Sequence, residues 1–210
     1  MYWFIALFEW IGTVSFALSG ALVGVKKRMD IFGVCILGLT TAVGGGIIRD
    51  LILGMTPPSA FRHPRNALAA IVVSALVFVA AARHWGVKNR WQAERLVLWA
   101  DSAGLGIFTV CGLQTAMEAG YADNLFLLVF VAVLTGVGGG VLRDVFAGDR
   151  PYIFVKHIYA SAALLGALLC RGLWPVLGQN MSMTAGFVLV VVIRLCSARF
   201  RWSLPRIREE

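Results

Sequence analysis

Long apolar runs alternate with short polar connections along this chain. Seven runs can be marked, at about 3–25, 31–48, 66–86, 96–116, 124–142, 156–173 and 182–198. Each approaches the roughly 20 residues that a helix needs to cross the hydrocarbon core. None of the gaps is long enough for a folded domain, so the pattern predicts an all-α integral membrane protein, seven transmembrane helices in a single domain over 1–210. The first run begins at Met1, Tyr2 and Trp3 with no basic leader and no small-residue cleavage site, and is expected to be a retained span. Trp3, Trp85, Trp91, Trp99, Trp174 and Trp202 fall near predicted span ends, where an interfacial belt belongs.

Composition agrees. Of 210 residues 59% are apolar and 14% charged, against roughly 45–50% and 25% in soluble domains. A large soluble catalytic domain is excluded. The net charge of +8, from 19 Lys and Arg against 11 Asp and Glu, would in a soluble chain point to nucleic acid. Topology accounts for it instead. With the N-terminus outside, the inner segments hold fifteen basic residues: Lys26, Lys27, Arg28, Arg83, Lys88, Arg90, Arg95, Arg143, Arg150, Lys156, Arg194, Arg199, Arg201, Arg206 and Arg208. The outer segments hold four, Arg49, Arg62, Arg65 and Arg171, so the C-terminus is predicted to be cytoplasmic. The basic tail, 199–210, reads as a topology signal that also touches anionic lipid. Arg194 is expected to snorkel to the inner face.

Cys35, Cys111, Cys170 and Cys196 lie inside apolar runs without metal-ligand spacing and read as free thiols. The sequence carries no P-loop, HExxH, hydrolase carboxylate pair or dinucleotide fingerprint, so no enzyme and no cofactor is predicted.

The chain repeats itself. Residues 41–63 align without a gap to 135–157 with ten identities in 23 positions: Thr41/Thr135, Val43/Val137, Gly44/Gly138, Gly45/Gly139, Gly46/Gly140, Arg49/Arg143, Asp50/Asp144, Gly54/Gly148, Pro57/Pro151 and His63/His157. Chance would give about two. Upstream, Gly12, Phe16 and Gly20 match Gly104, Phe108 and Gly112, and Glu9 matches Asp101. Three-span units over 1–90 and 95–174 are therefore expected, followed by an unmatched helix at 180–198. An odd number of spans per unit makes the second copy enter from the opposite side, giving an inverted repeat about an axis in the membrane plane.

Three consecutive glycines weaken a helix by about 1 kcal/mol each relative to Ala and bare its backbone. They allow either a pore-lining break, where freed carbonyls meet a cation, or close helix packing. Their recurrence in both copies, each time two residues before Arg-Asp, favours a kinked, pore-lining break. Neighbours at i,i+1 on a helix do not face each other, so crossed pairing is expected, Arg49 with Asp144 and Arg143 with Asp50, or Arg with carbonyls at the opposite glycine break. Charges inside spans normally face a polar interior and mark a pathway. Glu9 and Asp101 either attract cations or bond a neighbouring helix; His63 and His157 either gate with pH or hydrogen-bond at an interface.

The doubled pattern, Gly44-Gly45-Gly46-Ile47-Ile48-Arg49-Asp50 and Gly138-Gly139-Gly140-Val141-Leu142-Arg143-Asp144, resembles the prokaryotic branch of the TRIC (trimeric intracellular cation) channel family over residues 1 to about 200. Its small bacterial proteins also carry a glycine transporter domain label. The resemblance implies a homotrimer in the cell inner membrane, an hourglass pore in each subunit with spans 2 and 5 kinked at the triplets, and K⁺ as the permeant ion with Na⁺ also passing. The Lys-Glu-Val signature of animal members is absent, so their calcium or phosphoinositide control does not carry over.

Two functions follow from these residues. In a passive monovalent-cation channel, carbonyls at Gly44–Gly46 and Gly138–Gly140, with the Thr41 and Thr135 hydroxyls, would replace part of the ion's hydration shell, and Asp50 and Asp144 would concentrate cations. In a carrier for glycine or a similar small zwitterion, Arg49 or Arg143 would meet the carboxylate and Asp50 or Asp144 the ammonium. No asymmetric polar cluster shaped for one substrate is evident, which favours the channel.

Overall fold

The computed structural model describes residues 2–83, 90–155 and 158–202, in which helices joined by short turns and no strands are found. Helix α1 spans Tyr2–Lys26, α2 Ile31–Ile52, α3 Ser59–Arg62, α4 Arg65–Ala82, α5 Arg90–Ala116 with a π turn over Met117–Tyr121, α6 Leu125–Phe146, α7 Tyr152–Val155 and α8 Ala160–Phe200. Six of these are long and apolar enough to cross a membrane. Apolar side chains exposed on α4, such as Leu68, Val72 and Leu76, give that helix the surface of a lipid-facing span.

The last two predicted spans do not appear as helices separated by a loop. Residues 160–200 form one helical run, broken only at Gly178, whose φ of 70° and ψ of 177° are inaccessible to most L-residues. Pro175 lies just before the break. The two arms then fold onto each other: Gly166 faces Val190 and Gly186, and Gly186 faces Cys170. The 174–181 segment between the last two predicted spans is thus helical up to the hinge.

Both copies of the repeat use the same terminal devices. The Asp30 side chain accepts from Gly33 N at the start of α2, and Asn124 accepts from Leu127 N at the start of α6, 94 positions on. At the other end the chain leaves each helix through a positive-φ glycine, Gly54 (72°) or Gly148 (69°). These caps carry the helices past the predicted ends, to Ile52 and Phe146.

The core is built where α2 and α6 cross. A Cβ placed on Gly45 would overlap the Thr135 carbonyl, and one on Gly139 would overlap the Thr41 carbonyl. Gly44 likewise faces Leu142, and Gly138 faces Ile48. Each contact is the other shifted by 94 residues with the partners exchanged, as a two-fold relation between the two helices requires. Helices α1 and α5 show the same exchange, Gly12 against Phe108 and Gly104 against Phe16, with the two rings 5.1 Å apart.

Candidate functional site

The glycine triplets lie in unbroken helix: α2 and α6 run through them without a non-helical residue. The expected unwinding with freed carbonyls is not what the structure contains. Gly44, Gly45, Gly138 and Gly139 instead serve close approach, because the side-chain-free surface lets the two backbones touch. The third glycines differ. Gly46 borders a cavity of about 210 Å³, whereas a Cβ on Gly140 would meet the Tyr159 hydroxyl at 2.6 Å. Thr41 and Thr135 are fully buried at the crossing, each donating back to the carbonyl four residues earlier, Leu37 and Val131, at 2.6 Å.

The Arg-Asp pairs do not cross between copies. Arg49 Nε donates to its own neighbour, Asp50 Oδ1, at 2.8 Å, and Arg143 Nε donates to Asp144 Oδ1 at 2.9 Å. The i,i+1 rule fails because the long arginine side chain curls back along the helix end to reach the short carboxylate beside it. The second carboxylate oxygen holds the following segment: Asp50 Oδ2 accepts from Ser59 N (2.7 Å) and Ser59 Oγ (2.6 Å), and Asp144 Oδ2 accepts from Tyr152 N (2.8 Å). All four charged residues are buried. Such pairs lock the helix ends, since removing one partner would strand the other charge in a low-dielectric interior.

Beyond this shared device the copies part. Arg49 adds only a long contact from Nη2 to Ser59 Oγ, 3.4 Å. Arg143 reaches across the protein, its Nη1 donating to Asp101 Oδ1 and to Ser19 Oγ, both at 2.6 Å. Tyr159 donates to the same Asp101 oxygen at 3.3 Å. Arg194 Nη2 lies 3.7 Å from Asp101 Oδ2. Arg194 is therefore buried beside an acid and does not snorkel. Of the alternatives for Asp101, helix-to-helix bonding is the one the structure contains: it ties α5 to α6, to Tyr159 at the N-cap of α8 and to the second arm of α8.

Glu9 sits otherwise. With Thr13, Gly46, Arg49, His63 and Asn66 it lines the cavity of about 210 Å³. A second cavity, of about 220 Å³, is bordered by Leu22, Lys26, Glu94, Tyr152 and Arg194. The two lie on successive stretches of α1, whose nearest lining residues, Thr13 and Leu22, are roughly 13 Å apart along the helix at 1.5 Å per residue. Between them α1 presents Phe16, packed on Phe108, and Ser19, bonded to Arg143. The two cavities thus border α1 on either side of the buried Phe16 and Ser19. His157 falls outside the described residues.

Sequence reasoning found the two Arg-Asp pairs but missed Ser19, Ser59, Tyr152, Tyr159 and Arg194. A signal for Arg194 was available: an arginine deep in an apolar run needs a buried acid, and Asp101 lies equally deep in another.

The glycine transporter family model matches the chain twice, over residues 6–82 and 98–175, once in each half. The structure superposes on a prokaryotic TRIC channel solved in 0.5 M KCl with TM-score 0.88, at 32% identity over 97% of this chain and all of the other. A second solved structure, the trimeric intracellular cation channel orthologue from Rhodobacter sphaeroides, gives TM-score 0.85 and 35% identity over 94% and 98% of the two chains. The chain belongs to the TRIC family. Relatives of this TRIC-family chain include the UPF0126 membrane protein YvgT of Bacillus subtilis, 36% identical over 93% of this chain and 92% of the relative. The UPF0126 inner membrane protein YadS of Escherichia coli is 35% identical over the same shares. With its apolar helices, this makes the chain a multi-pass membrane protein.

Proposed function

We propose that this protein is a monovalent-cation channel that passes K⁺, with a separate path through each subunit of a homotrimer in the cell inner membrane. The observation that carries this reading is the pair of cavities along α1 on either side of the buried Phe16 and Ser19, a stretch we read as a closed neck. The solved TRIC cation channels of the same fold support it. Seven crossings follow if α8 counts as two: units 1–90 and 95–174 form an inverted repeat, 180–198 adds the last helix, and the basic tail 199–210 stays cytoplasmic with the N-terminus outside.

Cations enter at the cavity lined by Glu9 and Gly46, drawn by Glu9 and the neighbouring Asp50. They pass the crossing of α2 and α6 when Phe16 and the Ser19–Arg143 contact give way. The intact helices at both triplets shift the role of Gly44–Gly46 and Gly138–Gly140 from ion coordination to letting two helices cross close to the path. Arg49–Asp50 and Arg143–Asp144 hold the helix ends that frame it. Thr41 and Thr135 meet an ion only when the neck opens.

A glycine carrier draws support from the presence of Glu9 and Arg49 in one cavity, opposite charges that suit a zwitterion. Purified protein in a planar bilayer separates the two. Discrete currents reversing at the K⁺ equilibrium potential are expected; labelled-glycine counterflow without such currents would overturn the channel.

A further inference from the structure

Glu9 and Asp101 occupy matching positions, three residues before the matching glycines Gly12 and Gly104, yet their electrostatic surroundings are unlike. Glu9 is partly exposed in its cavity, and among the described residues no ion pair reaches it. Around it the carboxylates of Asp50 and Glu118 oppose the guanidinium of Arg49, and His63 lines the same cavity. Around Asp101 the balance is even: Asp101 and Asp144 meet Arg143 and Arg194. The difference comes from Arg194, carried on the second arm of α8, for which the first half of the chain has no counterpart.

The way Arg194 is held fits a role for its charge. Its Nε has no hydrogen-bond partner, its contact with Asp101 is a 3.7 Å ion pair, and its Cζ lies 4.6 Å over the Tyr159 ring. Its side chain forms part of the wall of the second cavity. A buried charge in low-dielectric walls projects its field into the adjoining aqueous space, so cancelling Asp101 there changes how many cations that cavity gathers.

We propose that Arg194 is a positioning residue for permeation, a counter-charge that silences Asp101 so that the Glu9 mouth attracts cations and the Arg194 mouth does not. The inference rests on the cation-channel reading. Its consequence is rectification: in symmetric KCl, current entering from the Glu9 side exceeds current entering from the Arg194 side.

The test measures the ratio of the two currents at equal and opposite voltages in excised patches, after a C-terminal reporter has fixed the orientation. Arg194→Gln uncovers Asp101 and is expected to raise current from the Arg194 side about two- to three-fold, the effect of one charge at a mouth. Arg194→Lys, which keeps the charge, holds the ratio near that of the parent. Asp101→Asn shifts it the other way, and the double variant Asp101→Asn with Arg194→Gln returns it toward the parent. A purely structural arginine would lower the number of working channels and leave the ratio of those remaining unchanged. An unchanged ratio in Arg194→Gln overturns the proposal, and if that variant does not assemble, an unchanged ratio in Asp101→Asn does so equally. Absence of any K⁺ current in the parent would instead defeat the channel reading itself.

Discussion

Gly45 backs onto the carbonyl of Thr135 so closely that a single methyl group at residue 45 would overlap it. The neighbouring Gly46 has room, since a Cβ there would meet only Arg49 Nη2, at 3.8 Å. Gly45→Ala is therefore expected to lose about 1–3 kcal/mol through overpacking. Gly46→Ala is expected to be neutral or to gain up to about 1 kcal/mol from helix propensity. Thermal unfolding in detergent, followed by loss of the monodisperse chromatographic peak, reads both. Equal behaviour of the two variants would contradict the crossing geometry.

Asp50 accepts from Arg49 and from the Ser59 backbone and hydroxyl at once. Asp50→Ala leaves a buried guanidinium and a part-buried amide without that acceptor, and is expected to cost about 3–5 kcal/mol. Removing Arg49 as well, as Arg49→Met with Asp50→Ala, should recover part of the loss. A double-mutant cycle on unfolding free energy gives the coupling directly. Additive effects would mean that the pair contributes nothing beyond its separate parts.

Phe16 lies on α1 between the stretches that line the two cavities, nearly fully buried against Phe108, Gly104 and Gly139. Phe16→Ala is expected to lower stability by about 3–5 kcal/mol and to raise K⁺ flux into proteoliposomes by removing the apolar constriction. A variant that remains assembled with flux no greater than the parent would place the barrier elsewhere.

Gly178 turns α8 back on itself with backbone angles that are essentially glycine's alone. Gly178→Ala is expected to cost about 1–3 kcal/mol. Gly172→Ala, in open space six residues earlier, serves as the helical comparison and should stabilise by up to about 1 kcal/mol. Unfolding midpoints compared at the same detergent concentration decide it.

The spans were legible because burial in lipid demands long apolar runs, and the pairing of the two halves was legible because Gly-Gly-Gly-x-x-Arg-Asp recurs at a fixed offset. The caps Asp30 and Asn124 share that offset and would have extended the alignment backward had chemistry rather than identity been compared. The pairing of Arg49 and Arg143 was not legible, because spacing rules describe where side chains start and not how far a guanidinium bends back. Residues 174–181 fell in the gap between two apolar runs, while a membrane hairpin keeps its backbone bonded up to the hinge. Ser19 and Tyr159 have no pattern of their own. They matter because Arg143 and Asp101 converge there from distant parts of the chain.

The exchange of contacts across the α2–α6 crossing makes the fold resemble an isologous dimer joined into one polypeptide, in which each patch is answered by its own copy. Substitutions in this chain accordingly fall into two kinds. A change at Gly45 or Gly139 touches a contact that the molecule makes twice, so its mirror position remains as an internal control within the same protein. A change at Arg194 or Asp101 touches something made once, and only there can a chain of matching halves acquire a direction.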